Sequence, residues 1–304
     1  MQQESIKYYN RSKSQMEVEK IYGDGFLRWL YTTAMGKALT KLFCKAPLSK
    51  VYGLAQDSTF LSKKKVRPFI SDFNIKIDDF QAGSIQSDDV RDSYATFNEF
   101  FIRPFKSGKR NFVQGKEMPA FAEARYLGFE SISPNQKFPV KGEELSASAL
   151  LANGKWMKIF DGGPLMIARL CPVDYHRFHF PDKGTVLDDY RISGQFHSVN
   201  PIALRFRDEV FSENERHVTI FETENFGKMA YIEVGAIMVG KIIQSYQGKN
   251  FLRGQEKGYF LFGASTVIVL GEKGKWKPSA DMLEYSKKEI EVYLQLGDSV
   301  GVAI

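Results

Sequence analysis

The chain has 304 residues, of which 43% are hydrophobic and 14% aromatic, which excludes a disordered protein and predicts a large core in one or two domains. Its two cysteines, Cys44 and Cys171, exclude a disulfide framework and a cysteine-rich zinc site, and they predict a reducing compartment. The net charge is +6, and we expect neither a signal peptide nor a membrane-spanning helix, because the N-terminus is polar and no apolar run reaches about 18 residues.

The first distinctive segment, residues 25–68, is strongly basic and holds nine Lys and Arg residues against the single acid Asp57. A basic segment on a near-neutral body predicts an anionic partner surface, either lipid or nucleic acid. Within it, residues 25–55 carry apolar side chains at helical spacing, which predicts a basic amphipathic helix. Such a helix either lies in a membrane interface or docks on the protein's own core with its lysines in water, and the sequence does not choose between the two. The apolar positions are Leu27, Leu30, Tyr31, Ala34, Ala38 and Leu42, with Lys37 and Lys41 along one edge.

A second, short helix is predicted in residues 94–106. Thr96 is expected to cap its N-terminus, and Glu99 three residues later completes the pattern of a capping box. Pro104 is expected to end the helix.

From about residue 115 onward the sequence is β-rich. Short runs of apolar and β-branched residues are separated by Gly, Pro, Asn and Asp at short intervals, which favours a sandwich or barrel over alternating β/α units. We therefore predict an α+β protein, with a helical, basic, membrane-associating region in residues 1–95 and a β-rich, sandwich- or barrel-like core in residues 96–304. The predicted strands are 166–170, 217–221, 229–239 and 260–270.

The run from Tyr259 to Leu270 is almost unbroken in its apolar character and predicts a buried strand. The small residues Gly263-Ala264-Ser265-Thr266 interrupt it. Glycine inside a strand indicates a bulge or the close approach of another backbone. The serine hydroxyl stands beside its own backbone at this point, so we single out Ser265 as a candidate nucleophile.

Two of the four histidines, His176 and His179, lie within four residues of each other and are flanked by Asp174 and Arg177. Histidine is the usual acid and base near neutral pH, so we favour a catalytic role for this pair over simple packing among the surrounding aromatic residues. No third ligand is adjacent in sequence, and we expect no metal site.

The remaining motifs are weaker. His197 is either structural or a substrate contact, whereas His217 precedes a predicted strand and is expected to be structural. The glycines of the segment from Val234 to Gly240 lack the spacing of a phosphate loop and indicate only a close approach of another group.

Taken in order, these motifs resemble the phosphatidylserine decarboxylase family. The resemblance covers most of the chain, and the order of the motifs, with a Ser-Thr pair about 40 residues from the C-terminus, is more specific than any one of them. The motifs are Phe97-Asn98-Glu99-Phe100-Phe101 with Arg103, Val140-Lys141-Gly142, Tyr175 to Pro181, His197-Ser198-Val199-Asn200-Pro201, Asn214-Glu215-Arg216, Val234 to Gly240, and Lys257-Gly258 with Phe262 to Thr266.

The resemblance implies a self-cleaving, pyruvoyl-dependent enzyme. The hydroxyl of Ser265 would attack the carbonyl of Ala264 to give an ester, elimination would break the chain, and the dehydroalanine left at residue 265 would hydrolyse to a pyruvoyl group. The products would be a β chain of residues 1–264 and an α chain of residues 265–304. A Schiff base between the pyruvoyl group and the amine of phosphatidylserine would then accept the electrons released as CO2 leaves, giving phosphatidylethanolamine.

The resemblance also implies roles for individual residues. His179 matches the histidine of the family's Asp-His-Ser triad and would activate Ser265, with Glu123 at the position of the aspartate. His176 is expected to act on the substrate, as the proton donor after decarboxylation. The residues expected to contact the substrate are Tyr175, His197, Gly263 and Thr266.

The implied partner is phosphatidylserine in an anionic membrane, and nucleic acid is not expected, because the basic segment carries no recognition motif. Each well-placed Lys or Arg contributes about 1 kcal/mol of attraction to such a surface. The resemblance therefore implies a peripheral enzyme on the cytoplasmic face of a cell membrane, assembled as a homodimer of αβ units.

Two departures from the family pattern fall on the self-processing machinery: Glu123 stands for Asp, and Ala264 stands for Gly. They keep open an alternative, an uncleaved and non-enzymatic relative that binds anionic lipid. A third interpretation is a serine hydrolase that uses Ser265, His179 and Glu123, but the chain lacks the GxSxG motif around that serine.

Overall fold

The computed structural model describes residues 6–20, 22, 24–33, 35–36, 39, 58–131, 146–200, 204, 210–236, 241–263 and 265–304. Most of the predicted basic helix lies outside these residues, as do Ala264 and the Val140-Lys141-Gly142 motif. The described chain is a mixed α+β protein dominated by strands, which confirms the predicted class. The sandwich- or barrel-like form of the core and the boundary at residues 95 and 96 stay predictions.

Most strands of the described chain belong to one large sheet. The strands are β1 (Lys7–Asn10), β2 (Gln15–Val18), β3 (Glu117–Pro119), β4 (Ala124–Phe129), β5 (Leu165–Leu170), β6 (Arg177–His179), β7 (Gly184–Ile192), β8 (Arg216–Thr223), β9 (Gly227–Val234), β10 (Ile242–Gln244), β11 (Asn250–Phe251), β12 (Glu256–Phe260), β13 (Ser265–Gly271), β14 (Trp276–Pro278), β15 (Glu291–Leu294) and β16 (Ser299–Ala303). The ten-stranded sheet has the order β11-β7-β8-β9-β13-β5-β4-β15-β1-β2, and two three-stranded sheets have the orders β10-β12-β6 and β14-β16-β3. Strands β1 and β15 are parallel, and the other described pairs are antiparallel.

The helices of the described chain are short. They are α1 (Asp24–Thr32), α2 (Thr59–Ser62), α3 (Val66–Asp72), α4 (Phe97–Phe101), α5 (Ala147–Leu151), α6 (Gly154–Phe160), α7 (Val210–Glu213) and α8 (Ala280–Ser286), with 3-10 turns at Arg11–Lys13, Lys63–Lys65, Ile77–Asp79 and Val90–Asp92.

Strand β13 lies at the buried centre of the large sheet. It pairs with β9 on one side and with β5 on the other, and all of its residues are buried. Because both faces of this strand are covered, its sequence is continuously apolar from Val267 to Leu270 rather than alternating. Strand β7, next to the sheet edge, instead alternates between half-buried and exposed positions.

The prediction of one strand over residues 260–270 is wrong. Strand β12 ends at Phe260 in a small sheet, and β13 begins at Ser265 in the large sheet, so the chain passes from one sheet to the other between these two residues. The apolar run continues across the crossing because Phe260 and Val267 are buried in the same core cluster. The other three predicted strands are confirmed as β5, β8 and β9, with β9 ending at Val234.

An N-terminal hairpin that the sequence did not predict joins the large sheet. Strands β1 and β2 pair with each other, and β1 also pairs with β15 near the C-terminus. In helix α1, Leu30 and Tyr31 are buried, and the Tyr31 hydroxyl accepts a hydrogen bond from the backbone N–H of Ser198 at 2.9 Å. The described start of the basic segment therefore docks on the protein's own core. Among the described helices, none is both long and apolar enough to span a bilayer.

Helix α4 confirms the helix predicted in residues 94–106 but spans only five residues. The Thr96 hydroxyl caps it by accepting a hydrogen bond from the backbone N–H of Glu99 at 3.0 Å. In a standard capping box the Glu99 carboxylate would accept a hydrogen bond from the backbone N–H of Thr96. Here it accepts from the N–H of Ala95, one residue earlier. The helix buries Phe97, Phe100 and Phe101 in a second apolar cluster, which also contains Tyr175 and Phe262.

Candidate active site

Ser265 lies where the chain enters the large sheet. It is the first residue of β13 and is fully buried. Two residues earlier, Gly263 has a φ of +148°, a backbone conformation that favours glycine. The backbone N–H of Phe262 donates a hydrogen bond to Oδ1 of Asn98 at 2.9 Å, which ties this segment to helix α4. The approach to Ser265 is therefore held by a special backbone conformation and by a side-chain hydrogen bond.

His176 is the histidine in contact with Ser265. Its Nδ1 atom lies 3.2 Å from Oγ of Ser265, and its Nε2 atom lies 2.8 Å from the carbonyl oxygen of Cys171. A carbonyl oxygen only accepts hydrogen bonds, so Nε2 carries the proton, and Nδ1 of the neutral ring presents its lone pair to the Ser265 hydroxyl. This arrangement can take a proton from Ser265.

The surroundings of His176 keep its imidazole neutral. The ring is fully buried and stacks on Phe101, with the ring centroids 3.8 Å apart and an interplanar angle of 23°. Burial lowers the pKa of His176 to about 3, while the hydrogen bond to Cys171 opposes this shift and the positive charge of Arg103 adds to it. A neutral imidazole with a free nitrogen is the form that a general base requires.

His179 has different partners. Its Nδ1 atom lies 3.0 Å from the carbonyl oxygen of Gly254, and its Nε2 atom lies 3.3 Å from the hydroxyl of Tyr175. Nδ1 therefore carries the proton, and Nε2 accepts from Tyr175, which is the opposite tautomer to that of His176. Burial lowers the pKa of His179 to about 4. Among the described residues, no hydrogen bond joins His179 to Ser265.

Glu123 is held by an arginine. Nε and Nη2 of Arg110 donate to its two carboxylate oxygens at 2.6 and 3.0 Å, and the hydroxyl of Tyr293 donates at 3.0 Å. The hydrogen bonds described for this carboxylate do not include His179. Glu123 and Tyr175 instead line a common cavity of about 290 Å³. The contact implied between Glu123 and His179 is thus not made in this conformation of the described chain.

Two of the remaining predicted site residues lie in β13 and in a loop, respectively. Thr266 follows it in β13 and is buried, and its hydroxyl has no hydrogen-bond partner in the described part of the chain. His197 is buried in a loop, where its backbone N–H and C=O are both bound by the side chain of Asn214. Ala264, the other residue of the predicted cleavage site, lies outside the described residues.

Three partners of the site were missed by sequence reasoning: Asn98, Phe101 and the carbonyl of Cys171. Asn98 and Phe101 belong to the Phe97–Arg103 motif that carries the resemblance, so a signal for them was present. A backbone carbonyl requires no particular residue type, so nothing in the sequence indicates Cys171. The residues that the structure describes contain no cluster of three His, Cys, Asp or Glu side chains able to hold a metal ion.

Comparison with known proteins gives full-length similarities. A sequence profile of the family described as phosphatidylserine decarboxylase matches residues 97–301. The chain is 39% identical over 300 residues to the phosphatidylserine decarboxylase proenzyme of Clostridium kluyveri, covering 98% of this chain and 99% of that protein. Proenzymes of the same description from Clostridium perfringens (39% over 299 residues, covering 97% and 99%) and Clostridium botulinum (38% over 300 residues, covering 98% and 99%) are similar throughout their length.

Proposed function

The chain belongs to the phosphatidylserine decarboxylase family, and from this premise we propose the role of each residue around Ser265. It is the proenzyme of a carboxy-lyase of phospholipid biosynthesis, which converts phosphatidylserine to phosphatidylethanolamine and CO2. The observation that carries our residue assignment is the hydrogen bond of 3.2 Å between Oγ of Ser265 and Nδ1 of His176.

We assign Ser265 as the nucleophile of self-cleavage and His176 as its base. The Ser265 hydroxyl gives its proton to Nδ1 of His176 while Oγ forms a bond to the carbonyl carbon of Ala264, and the peptide nitrogen takes up a proton as the C–N bond breaks. Loss of the Ser265 α-proton then expels the Ala264 carboxylate and cleaves the chain. Water replaces the nitrogen at residue 265 and releases ammonia. The tautomer of His176 leaves Nδ1 free to accept the proton in the first of these transfers, while the lowered pKa makes the ring a weaker base than an exposed histidine.

The family resemblance assigns the base role to His179 with Glu123 instead. The contacts of the described residues favour His176, because His179 is bonded to Tyr175 and Gly254, and Glu123 to Arg110. The two assignments predict opposite outcomes for substitutions of the two histidines.

The residues around Ser265 fit a self-derived pyruvoyl group at this position. The Ser265 side chain is buried beside a neutral histidine, and the hydroxyl of Thr266 has no partner among the described residues. Such a group supplies an electron sink for the loss of CO2. We propose that His176 and Tyr175 hold or move the substrate's protons and that Gly263, His197 and Thr266 contact the substrate.

We propose that the mature enzyme consists of a β chain of residues 1–264 and an α chain of residues 265–304. We further propose that two such αβ units form a homodimer on the cytoplasmic face of a cell membrane. The basic segment of residues 25–68 supports attraction to an anionic lipid surface, since it holds nine cationic side chains and one acidic one.

Mass measurement of the denatured protein tests the cleavage site directly. We expect two chains separating before residue 265, with the smaller one blocked at its N-terminus by a pyruvoyl group. The Ser265→Ala variant should remain a single chain of about 34.7 kDa. Phosphatidylserine vesicles should yield phosphatidylethanolamine with the wild type only. An intact wild-type chain that binds vesicles without turnover would support the uncleaved alternative.

A further inference from the structure

Three polar side chains that the proposed self-cleavage does not use meet between the large sheet and a small sheet. Lys257 lies in β12 and Gln244 in β10 of the small sheet, while Glu233 lies in β9 of the large sheet. Nζ of Lys257 is 2.6 Å from Oε1 of Glu233 and 2.7 Å from Oε1 of Gln244. We propose that this is a modification site, at which Lys257 and Gln244 form a covalent isopeptide bond with Glu233 as the carrier of protons.

The environment of the Lys257 amine is apolar and closed to solvent. The side chains of Lys257 and Glu233 are both fully buried. Burial lowers the pKa of Lys257, with the charge of Glu233 opposing this shift, so the neutral amine is more accessible here than in an exposed lysine. A desolvated lysine amine in an apolar pocket is an activated nucleophile. The centroids of four aromatic rings lie between 5.2 and 5.9 Å from Nζ, those of Phe178, Phe180, Tyr231 and Tyr246.

The carboxamide of Gln244 faces this amine with its carbonyl group. The Lys257 ammonium only donates hydrogen bonds, so its contact of 2.7 Å identifies the oxygen of the amide and turns the nitrogen away. A C=O bond is about 1.23 Å long, so Nζ lies roughly 3–4 Å from the carbonyl carbon Cδ. This range includes the separation of about 3–3.5 Å at which bound groups are placed to react.

Two atoms of this cluster have no hydrogen-bond partner in the described part of the chain. They are Nε2 of Gln244 and Oε2 of Glu233, and both are buried. Buried polar atoms are normally paired, so two unpaired ones beside a buried ion pair need an explanation. Formation of an isopeptide bond supplies one, because Nε2 is the leaving group of that reaction and Oε2 is an acceptor through which a proton can reach it.

The reaction needs no further reagent. The Lys257 ammonium first gives a proton to Glu233, and the neutral Nζ then forms a bond to Cδ of Gln244. The bond between Cδ and Nε2 breaks as the carbonyl group is restored. In total Nζ loses two protons, Nε2 gains two and leaves as ammonium, and Glu233 passes the protons on and ends unchanged. The product is a secondary amide that joins β12 to β10, and the chain becomes lighter by one ammonia.

The test uses the full-length Ser265→Ala precursor, with its intact mass and the masses of its proteolytic peptides as readouts. Gln244→Met removes the amide but keeps the ion pair of Lys257 with Glu233, so it is the variant least expected to disturb folding. Glu233→Gln keeps the size of the side chain and removes the proton carrier. Lys241→Met is the matched control, because it removes an exposed lysine directly before β10.

We expect the parent precursor and Lys241→Met to be lighter than their sequences by one ammonia, and a branched peptide to join Lys257 to Gln244. Gln244→Met and Glu233→Gln should have the full masses of their sequences. If Gln244→Met does not fold, Lys257→Arg, which keeps the cation but not the amine, is measured in the same way.

A folded parent precursor with its full sequence mass and no branched peptide overturns the proposal and leaves an ordinary buried ion pair. The proposal is equally overturned if the loss of ammonia persists in Gln244→Met. Because β10 and β12 both precede residue 264, the bond is scored in the same way whether or not the wild type cleaves itself. Failure of self-cleavage and failure of the cross-link are therefore separate results.

Discussion

Nδ1 of His176 accepts from the hydroxyl of Ser265 at 3.2 Å, while the carbonyl of Cys171 binds the opposite nitrogen of the same ring. A backbone carbonyl thus takes the position that a carboxylate has in a Ser-His-Asp triad. It fixes the tautomer as a carboxylate does, but it brings no negative charge to stabilise a protonated ring. We therefore expect the self-cleavage that His176 supports to be a slow, single-turnover reaction.

The first prediction separates the two histidines. His176→Ala should slow self-cleavage by about 100-fold or more, because removal of a general base typically costs that much. His179→Ala should slow it by less than about tenfold, since His179 is bonded to Tyr175 and Gly254 rather than to Ser265. Mass measurement over a time course after synthesis gives both rates. If His179→Ala slowed cleavage more than His176→Ala, His179 would be the base, as the family resemblance implies.

The second prediction concerns Glu123. We expect Glu123→Ala, in the Ser265→Ala background, to lose about 3–5 kcal/mol of unfolding free energy in urea, because Arg110 is left largely buried without its partner. Adding Arg110→Ala should recover part of this loss, since the unpaired charge is then removed.

In the cleavable background, the double variant Glu123→Ala with Arg110→Ala should cleave within about tenfold of the wild-type rate. A loss of about 100-fold in the folded double variant would instead make Glu123 part of the catalytic machinery. Glu123→Asp is the conservative control, because it restores the residue that the family pattern has at this position.

The sequence predicted the burial of this region better than its connections. The apolar run from Tyr259 to Leu270 and the small residues within it correctly indicated a buried segment with an unusual backbone. It could not show that the run crosses between two sheets, because burial in one core makes both strands apolar. The sequence also did not indicate the N-terminal hairpin. Strand β2 is a mostly exposed edge strand, so it lacks the apolar pattern by which buried strands are predicted.

The sequence also could not identify the histidine that forms a hydrogen bond with Ser265. His176 and His179 lie three residues apart with similar neighbours, and motif spacing alone cannot determine which ring turns toward the serine. The ring that faces the serine, that of His176, is bound on its other side by the backbone carbonyl of Cys171, a group that has no sequence signature. The ion pair between Arg110 and Glu123 could not be predicted either, because the two residues are 13 positions apart and no sequence periodicity relates them.

The third prediction addresses the backbone before the cleavage point. Gly263→Ala should destabilise the Ser265→Ala precursor by about 1–3 kcal/mol, because alanine is strained at a φ of +148°. In the cleavable chain the same substitution should slow cleavage. Ala264→Gly is the neighbouring control and should not slow it, since the family pattern has glycine there. Equal unfolding midpoints for Gly263→Ala and its parent would contradict the prediction.

The fourth prediction is the response to acid. The pKa of His176 is lowered from 6.5 to about 3 and that of His179 to about 4, so below pH 6.5 the unfolded chain binds protons that the folded chain does not. Stability should therefore fall as the pH drops from about 6.5 to 4, by roughly 1.4 kcal/mol per pH unit for each histidine. Asp174 has the opposite effect on stability below about pH 6, because its raised pKa means that the folded state binds the proton more tightly than the unfolded state. The combined slope of the two histidines and Asp174 is therefore about that of one histidine.

Urea unfolding of the Ser265→Ala precursor across this range measures the slope, and adding His179→Gln should reduce that slope by about 1.4 kcal/mol per pH unit, because one of the two histidines no longer titrates. Cleavage by wild-type chain that remains folded should not show the decline below about pH 6.5 that an ordinary histidine base gives, since His176 stays neutral there. A cleavage rate that halves near pH 6.5 in folded protein would mean that the base has an ordinary pKa, and it would exclude His176 in the buried environment found here.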